Sequence, residues 1–195
     1  VLIGTSTGGH QAVTPIESLL AVALTLRGAN VNFLLCDRFL PACMQAMSIE
    51  FDTAAFIKTG PQSLLCNSCI RAGENTYQPL ELPIHRYSDF VTADENENAR
   101  EVSQTLSLAQ IAQYRLNDIA VGEHAYAGAL RYFAKGNLQD EPYGEPVLRR
   151  YLYASLLATY AVERLVAQYE FTTACFHHGL YVPQGIIGEV CRKRN

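Results

Sequence analysis

The chain has 195 residues, 49% of them hydrophobic and 17% charged, with a formal net charge of −4. This length allows one substantial core, and the negative balance excludes the concentrated basic face that a nucleic-acid backbone demands. No uninterrupted apolar run approaches the ~20 residues of a bilayer span and no signal peptide is recognisable, so a soluble, cytoplasmic domain is expected.

The first 28 residues read as strand, glycine-rich turn and helix. Val1, Leu2 and Ile3 form a short apolar run of the kind buried on both faces, and Gly4, Gly8 and Gly9 break it. In the helix that follows, Thr14, Pro15 and Glu17 are placed as N-cap, first turn and capping box. Leu19, Leu20, Val22, Ala23, Leu24 and Leu26 form its apolar face, and Gly28 ends it. The turn falls at the carboxyl end of the first strand, where open parallel sheets place ligands. Gly8 and Gly9 can offer backbone N–H groups to an anionic or hydroxyl-rich ligand, with His10 at the rim, or they can simply keep the turn tight. The spacing matches neither G-x-G-x-x-G nor a P-loop.

Residues 31–36 read as a second buried strand, which closes a right-handed βαβ unit. Asp37 is read as the cap of a helix over 38–49 in preference to a ribose ligand, and 51–58 as a third strand. Cys66 and Cys69 have the spacing of a zinc half-site, but Cys36 and Cys43 lie too far apart to complete it. Four buried, neutral thiols are therefore expected, and no metal. After a polar, proline-interrupted stretch from 72 to 89, helices are expected over 97–113, 119–135 and 146–169. In the first of these Val102, Leu106, Leu108, Ile111 and Ala112 face inward. Glu123 and His124 are adjacent on a helix and point apart, which ranks them below the glycine turn as a site. Tyr151, Tyr153 and Tyr160 read as core and rim.

The chain returns to strand at 171–176 and meets His177, His178 and Gly179 before a final helix that ends in Arg192, Lys193 and Arg194. This loop repeats the arrangement of the first turn. If both loops leave the same sheet edge, His10 can share a cleft with His177 or His178.

GTSTGGH, its proline-started helix and RGANVNFLLCD resemble the amino-terminal half of GT-B glycosyltransferases, with an opening similar to the GGxGGH of lipid-II-forming N-acetylglucosaminyltransferases. VGEHAYAGALRYFAKG and HHGLYVPQGIIGEVCRK extend the likeness to glycosyltransferase-like proteins of bacterial surface polysaccharide synthesis. The resemblance implies an α/β fold: a single Rossmann-like domain over 1–195, its parallel sheet flanked by helices, with an inserted helical segment at about 97–169. It also implies a donor-binding domain outside this chain, and transfer of a sugar from a nucleotide-sugar donor to a saccharide or lipid-linked acceptor. In that reading His10 is catalytic, while Gly8, Gly9, His177, His178 and Gly179 bind substrate. No resident cofactor is needed, and a peripheral membrane association fits. The alternative is a non-catalytic carbohydrate- or nucleotide-binding module; a dinucleotide oxidoreductase, resting on Asp37 alone, comes last.

Overall fold

The computed structural model describes residues 1–194, apart from the side chains at 63 and 64. Strands β1 (Leu2–Ser6), β2 (Asn32–Leu35), β3 (Ile84–Arg86) and β4 (Ala174–Cys175) form an all-parallel sheet in the order β3-β2-β1-β4. The helices described are α1 (Thr14–Thr25), α2 (Thr53–Thr59), α3 (Asn67–Tyr77), α4 (Ala93–Thr105), α5 (Leu108–Gln113), α6 (Val121–Phe133), α7 (Gly144–Gln168) and α8 (Gln184–Arg194). The architecture is the Rossmann-like α/β arrangement that alternating apolar runs and amphipathic helices imply, with α4 to α7 inserted between β3 and β4.

Strand alternation sorts the core into two layers. Ile3, Phe33 and Leu35 face one layer with Ala21 of α1 and Tyr77 of α3, and Phe33 stacks on Tyr77 with ring centroids 4.1 Å apart. Leu2 and Leu34 face the larger layer, whose spine is α7. Tyr151 of α7 is fully buried and its hydroxyl donates to the Cys43 carbonyl at 3.0 Å. A Cβ at Gly128 of α6 would lie 2.4 Å from the Tyr151 ring, so the glycine is what lets α6 approach α7 this closely.

Helix α1 is turned against its own sequence pattern. Thr14, Glu17 and Ala21 are buried, whereas Ile16, Leu19, Leu20, Val22 and Leu26 are exposed, Leu19 at 71% and Leu26 at 83%. The expected capping box does not form. Val13 holds the N-cap position without a side-chain bond, the Thr14 hydroxyl donates to the Gly8 carbonyl at 3.1 Å, and the Glu17 carboxylate points inward to Thr5 and Tyr77. Gly28 does end the helix, at φ +85°. Its amide donates to the Thr25 carbonyl while the Ala29 amide reaches back to Leu24, the paired bonds of a Schellman end.

Two expected elements are exchanged. Residues 38–49 form turns in place of a helix. Leu40, Ala42, Cys43, Met44 and Ala46 are all buried, which leaves no solvent face, and the Met44 amide is tied to the Val182 carbonyl at 2.9 Å. Residues 51–58, expected as a strand, hold most of α2, because Asp52 caps it by accepting from the Ala55 amide at 2.8 Å. The third strand instead lies inside the proline-interrupted stretch, at Ile84–Arg86. The helix expected over 97–113 is split into α4 and α5, each opened by its own capping box, Thr92 with Glu95 and Ser107 with Gln110. Ile111 is consequently buried while Leu108 and Ala112 face solvent. The strand expected over 171–176 pairs with β1 only at Ala174 and Cys175. No helix among the described residues is long and apolar enough to cross a membrane.

Candidate functional site

The chain winds from β1 through β2 to β3 on one side, then returns to β4 on the other. The carboxyl ends of β1 and β4 thus meet where the winding reverses, the crevice in which doubly wound sheets hold ligands. The loop after β1 places His10 there, and the loop after β4 places His177 and His178. Ring centroids lie 4.6 Å apart for His10 and His177, 3.8 Å for His177 and His178, and 5.6 Å for His178 and Tyr181. His10 and His177 are half-buried and His178 is exposed.

Close packing fixes the first loop. A Cβ at Gly8 would lie 2.5 Å from backbone atoms of Cys69 and Gly73, so this position holds the turn flat against α3. The Gly9 amide donates to Cys69 Sγ at 3.2 Å. The two glycines also line a cleft of about 480 Å³ with Gln11, Thr14, Ser68 and Thr76. The second loop reverses through two left-handed residues, His178 at φ +64° and Gly179 at φ +72°. A non-glycine residue held there is strained, and such strain clusters at functional sites. Thr5 of β1 pins this loop: its Oγ1 accepts from the His177 amide at 2.9 Å, and its carbonyl accepts from Gln184 Nε2 at 2.6 Å.

Electrostatics favour neutral imidazoles. Partial burial pulls His10 below its ordinary value, against a backbone hydrogen bond of its own, and His178 and Arg131 push it further down. His177 is lowered by burial, then by His178 and His10. A neutral ring in a cleft can accept a proton near ambient pH. Behind the loops, Glu17 accepts from the Thr5 and Tyr77 hydroxyls, and burial pushes its carboxyl up to about 7. Four buried polar atoms around this edge lack partners: Thr7 Oγ1, His177 Nδ1, Gln184 Oε1 and Arg131 Nη1. Buried polar groups are normally paired, and Asp37 Oδ1, Gln45 Nε2, Gln62 Oε1 and Arg86 Nη1 elsewhere in the chain are likewise unpartnered.

Cys36, Cys43, Cys66 and Cys69 surround one hollow of about 20 Å³ with Thr7, Leu40 and Pro183. Burial pushes the thiols up, Cys36 to about 11 and Cys66 to about 12, with Cys43 and Cys69 raised as well. Among the described residues no three His, Cys, Asp or Glu side chains are arranged to hold a metal ion. Iodoacetamide at pH 8 is expected to label Cys36, Cys43 and Cys66 in the folded protein at least about tenfold more slowly than an ordinary free thiol, and all three rapidly in urea. Mass spectrometry of the peptides reads this, and rapid labelling of folded Cys66 contradicts it.

His124 joins neither histidine loop. Its Nδ1 lies 2.8 Å from the Leu180 carbonyl and its Nε2 lies 3.0 Å from Glu189 Oε2, a buried tie between α6, α8 and the intervening loop. Neighbouring Glu123 is exposed. Asp37 caps no helix, and its Oδ1 is buried without a partner. Tyr151 is core, while the Tyr153 and Tyr160 hydroxyls meet Asn96 and Asn98 of α4. Thr5, Glu17, Arg131 and Gln184 carry no functional signal in the sequence. Glu17 reads as a helix-start acid and Arg131 as a solvated cation in a last turn, so the pattern carries no sign of their placement. Comparison with protein-family models, with curated proteins and with solved structures finds no match to this chain.

Proposed function

We propose that the chain is the acceptor-side domain of a GT-B-type glycosyltransferase. It would act on a saccharide or lipid-linked acceptor in surface polysaccharide synthesis, with a nucleotide-sugar donor held by a second domain across the cleft. The observation that carries this reading is the meeting of His10 and His177 at the reversal point of the sheet. The acceptor hydroxyl donates a hydrogen bond to the neutral His10 ring. As the acceptor oxygen bonds to the anomeric carbon, the bond to the nucleotide diphosphate breaks with its electron pair, and the hydroxyl proton passes to His10. His177, His178 and Gly179 hold the acceptor, and the glycine turn carrying Gly8 and Gly9 keeps His10 in register.

The test compares full-length protein with the 195-residue chain, using nucleotide-sugar donors and calorimetry against candidate acceptors. Full-length protein is expected to turn over, and the chain alone to bind acceptor without turnover. Transfer by the chain alone overturns the two-domain arrangement. Binding by full-length protein with no transfer from any donor leaves a non-catalytic carbohydrate- or nucleotide-binding module.

A further inference from the structure

A hollow of about 590 Å³ opens between α6 and the loop that carries His178 and Tyr181. Its wall is largely apolar, with Ala127, Leu130 and Leu180, yet it also carries Arg131, Lys135 and His178. Lys135 is paired with Glu141 at 2.5 Å. Arg131 is differently placed: its guanidinium lies over the Tyr181 ring, 5.4 Å from the centroid, and its Nη1 is buried with no hydrogen-bond partner. His177 Nδ1, beside His178, is also buried and unpartnered. Among the described residues Arg131 forms no ion pair, so an unneutralised guanidinium stands with His178 on a largely apolar wall, an arrangement that suits an anion.

We propose that this hollow binds the phosphate or diphosphate group of an anionic ester, with Arg131 and His178 as its donors, His177 beside them, and the apolar wall taking the ester's carbon chain. The planar guanidinium fork suits phosphate oxygens better than a point charge does. Arg131 and His178 both act on His10 through space, so the anion would sit within electrostatic reach of the proposed base. Assigning the ester to the acceptor rests on the transferase reading; anion binding itself does not.

Calorimetry with the purified protein, using inorganic pyrophosphate, farnesyl diphosphate and uridine diphosphate, tests this. Pyrophosphate is expected to bind saturably, farnesyl diphosphate at least about tenfold more tightly because its chain covers the apolar wall. Arg131→Gln should weaken both by about tenfold or more without lowering the melting temperature, while Arg27→Gln, exposed at the end of α1 on the other layer of the core, changes neither. Pyrophosphate binding weaker than about 1 mM in the parent protein, or undiminished in Arg131→Gln, overturns the site. Uridine diphosphate binding more tightly than farnesyl diphosphate overturns the acceptor assignment. If Arg131→Gln does not fold, the parent's imidazole resonances decide: those of His177 and His178 must move with pyrophosphate, and unmoved resonances overturn the site. Saturable binding with no transfer by full-length protein upholds the anion site and removes the transferase reading. Transfer with an unchanged acceptor KM in Arg131→Gln overturns the assignment of the ester to the acceptor, and leaves the anion site to the pyrophosphate titration.

Discussion

Replacing His10 by alanine in the full-length protein is expected to lower the transfer rate by roughly 10²–10⁴-fold, the usual contribution of a positioned acid or base. Folding should be unaffected. The ring is half-buried and packs at a steep angle to His177 outside both core layers, so stability should change by no more than the ~0.5 kcal/mol of a surface substitution. Because burial, His178 and Arg131 hold His10 below the usual histidine value of 6.5, the acidic limb of the kcat/KM profile should lie below pH 6.5 and vanish in His10→Ala. His177→Ala and His178→Ala separate the roles: a rise in KM at constant kcat marks acceptor binding, and an equal fall in kcat and kcat/KM marks a contact made only in the transition state. A His10→Ala protein with unchanged turnover removes the mechanism.

Glu17 should give the chain an unusual dependence of stability on pH. Its folded carboxyl titrates near 7 because burial penalises the charge, whereas an unfolded glutamate titrates near 4.5. Between these values the folded chain holds the extra proton. The contribution is therefore complete below about 4.5 and is lost as pH rises through 7, by on the order of 3 kcal/mol. His10 and His177, both lowered on folding, act in the opposite direction, costing stability as pH falls through the histidine range. Their effect is common to the parent and to Glu17→Gln, so the difference between the two proteins isolates the carboxyl. Glu17→Gln, a neutral isostere, should lose the decline between pH 5 and pH 8 and be the more stable protein at pH 8. Urea midpoints at the two pH values decide this, and parallel profiles for the two proteins refute it.

The parts of this fold legible in the sequence are those whose local chemistry agrees with their tertiary position. Ile3 and Phe33 lie in apolar runs bounded by turn residues, and both runs are strands. Gly28 stops a helix because only positive φ closes that end cheaply. The histidine loops were legible as a pair because each follows an apolar strand at the same sheet edge. Illegible elements are those decided by distant contacts. The buried run around Met44 mimics a helix because neighbours cover it from every direction, and β3 is only three residues long, its first residue following Pro83. Glu17 and Arg131 are ordinary helix residues until the fold draws the first inward and lays the second over the Tyr181 ring.

Helix α1 separates hydrophobic content from core content. Singly scattered exposed leucines are normal on a folded surface, but Ile16, Leu19, Leu20, Val22 and Leu26 share one short helix. Part of the 49% hydrophobic composition therefore holds nothing together inside the chain. An exposed apolar stripe of this kind favours association between copies, which the net charge of −4 opposes. Leu19 and Leu26, the most exposed of the five, belong to neither layer of the core, so polar side chains there would leave both untouched.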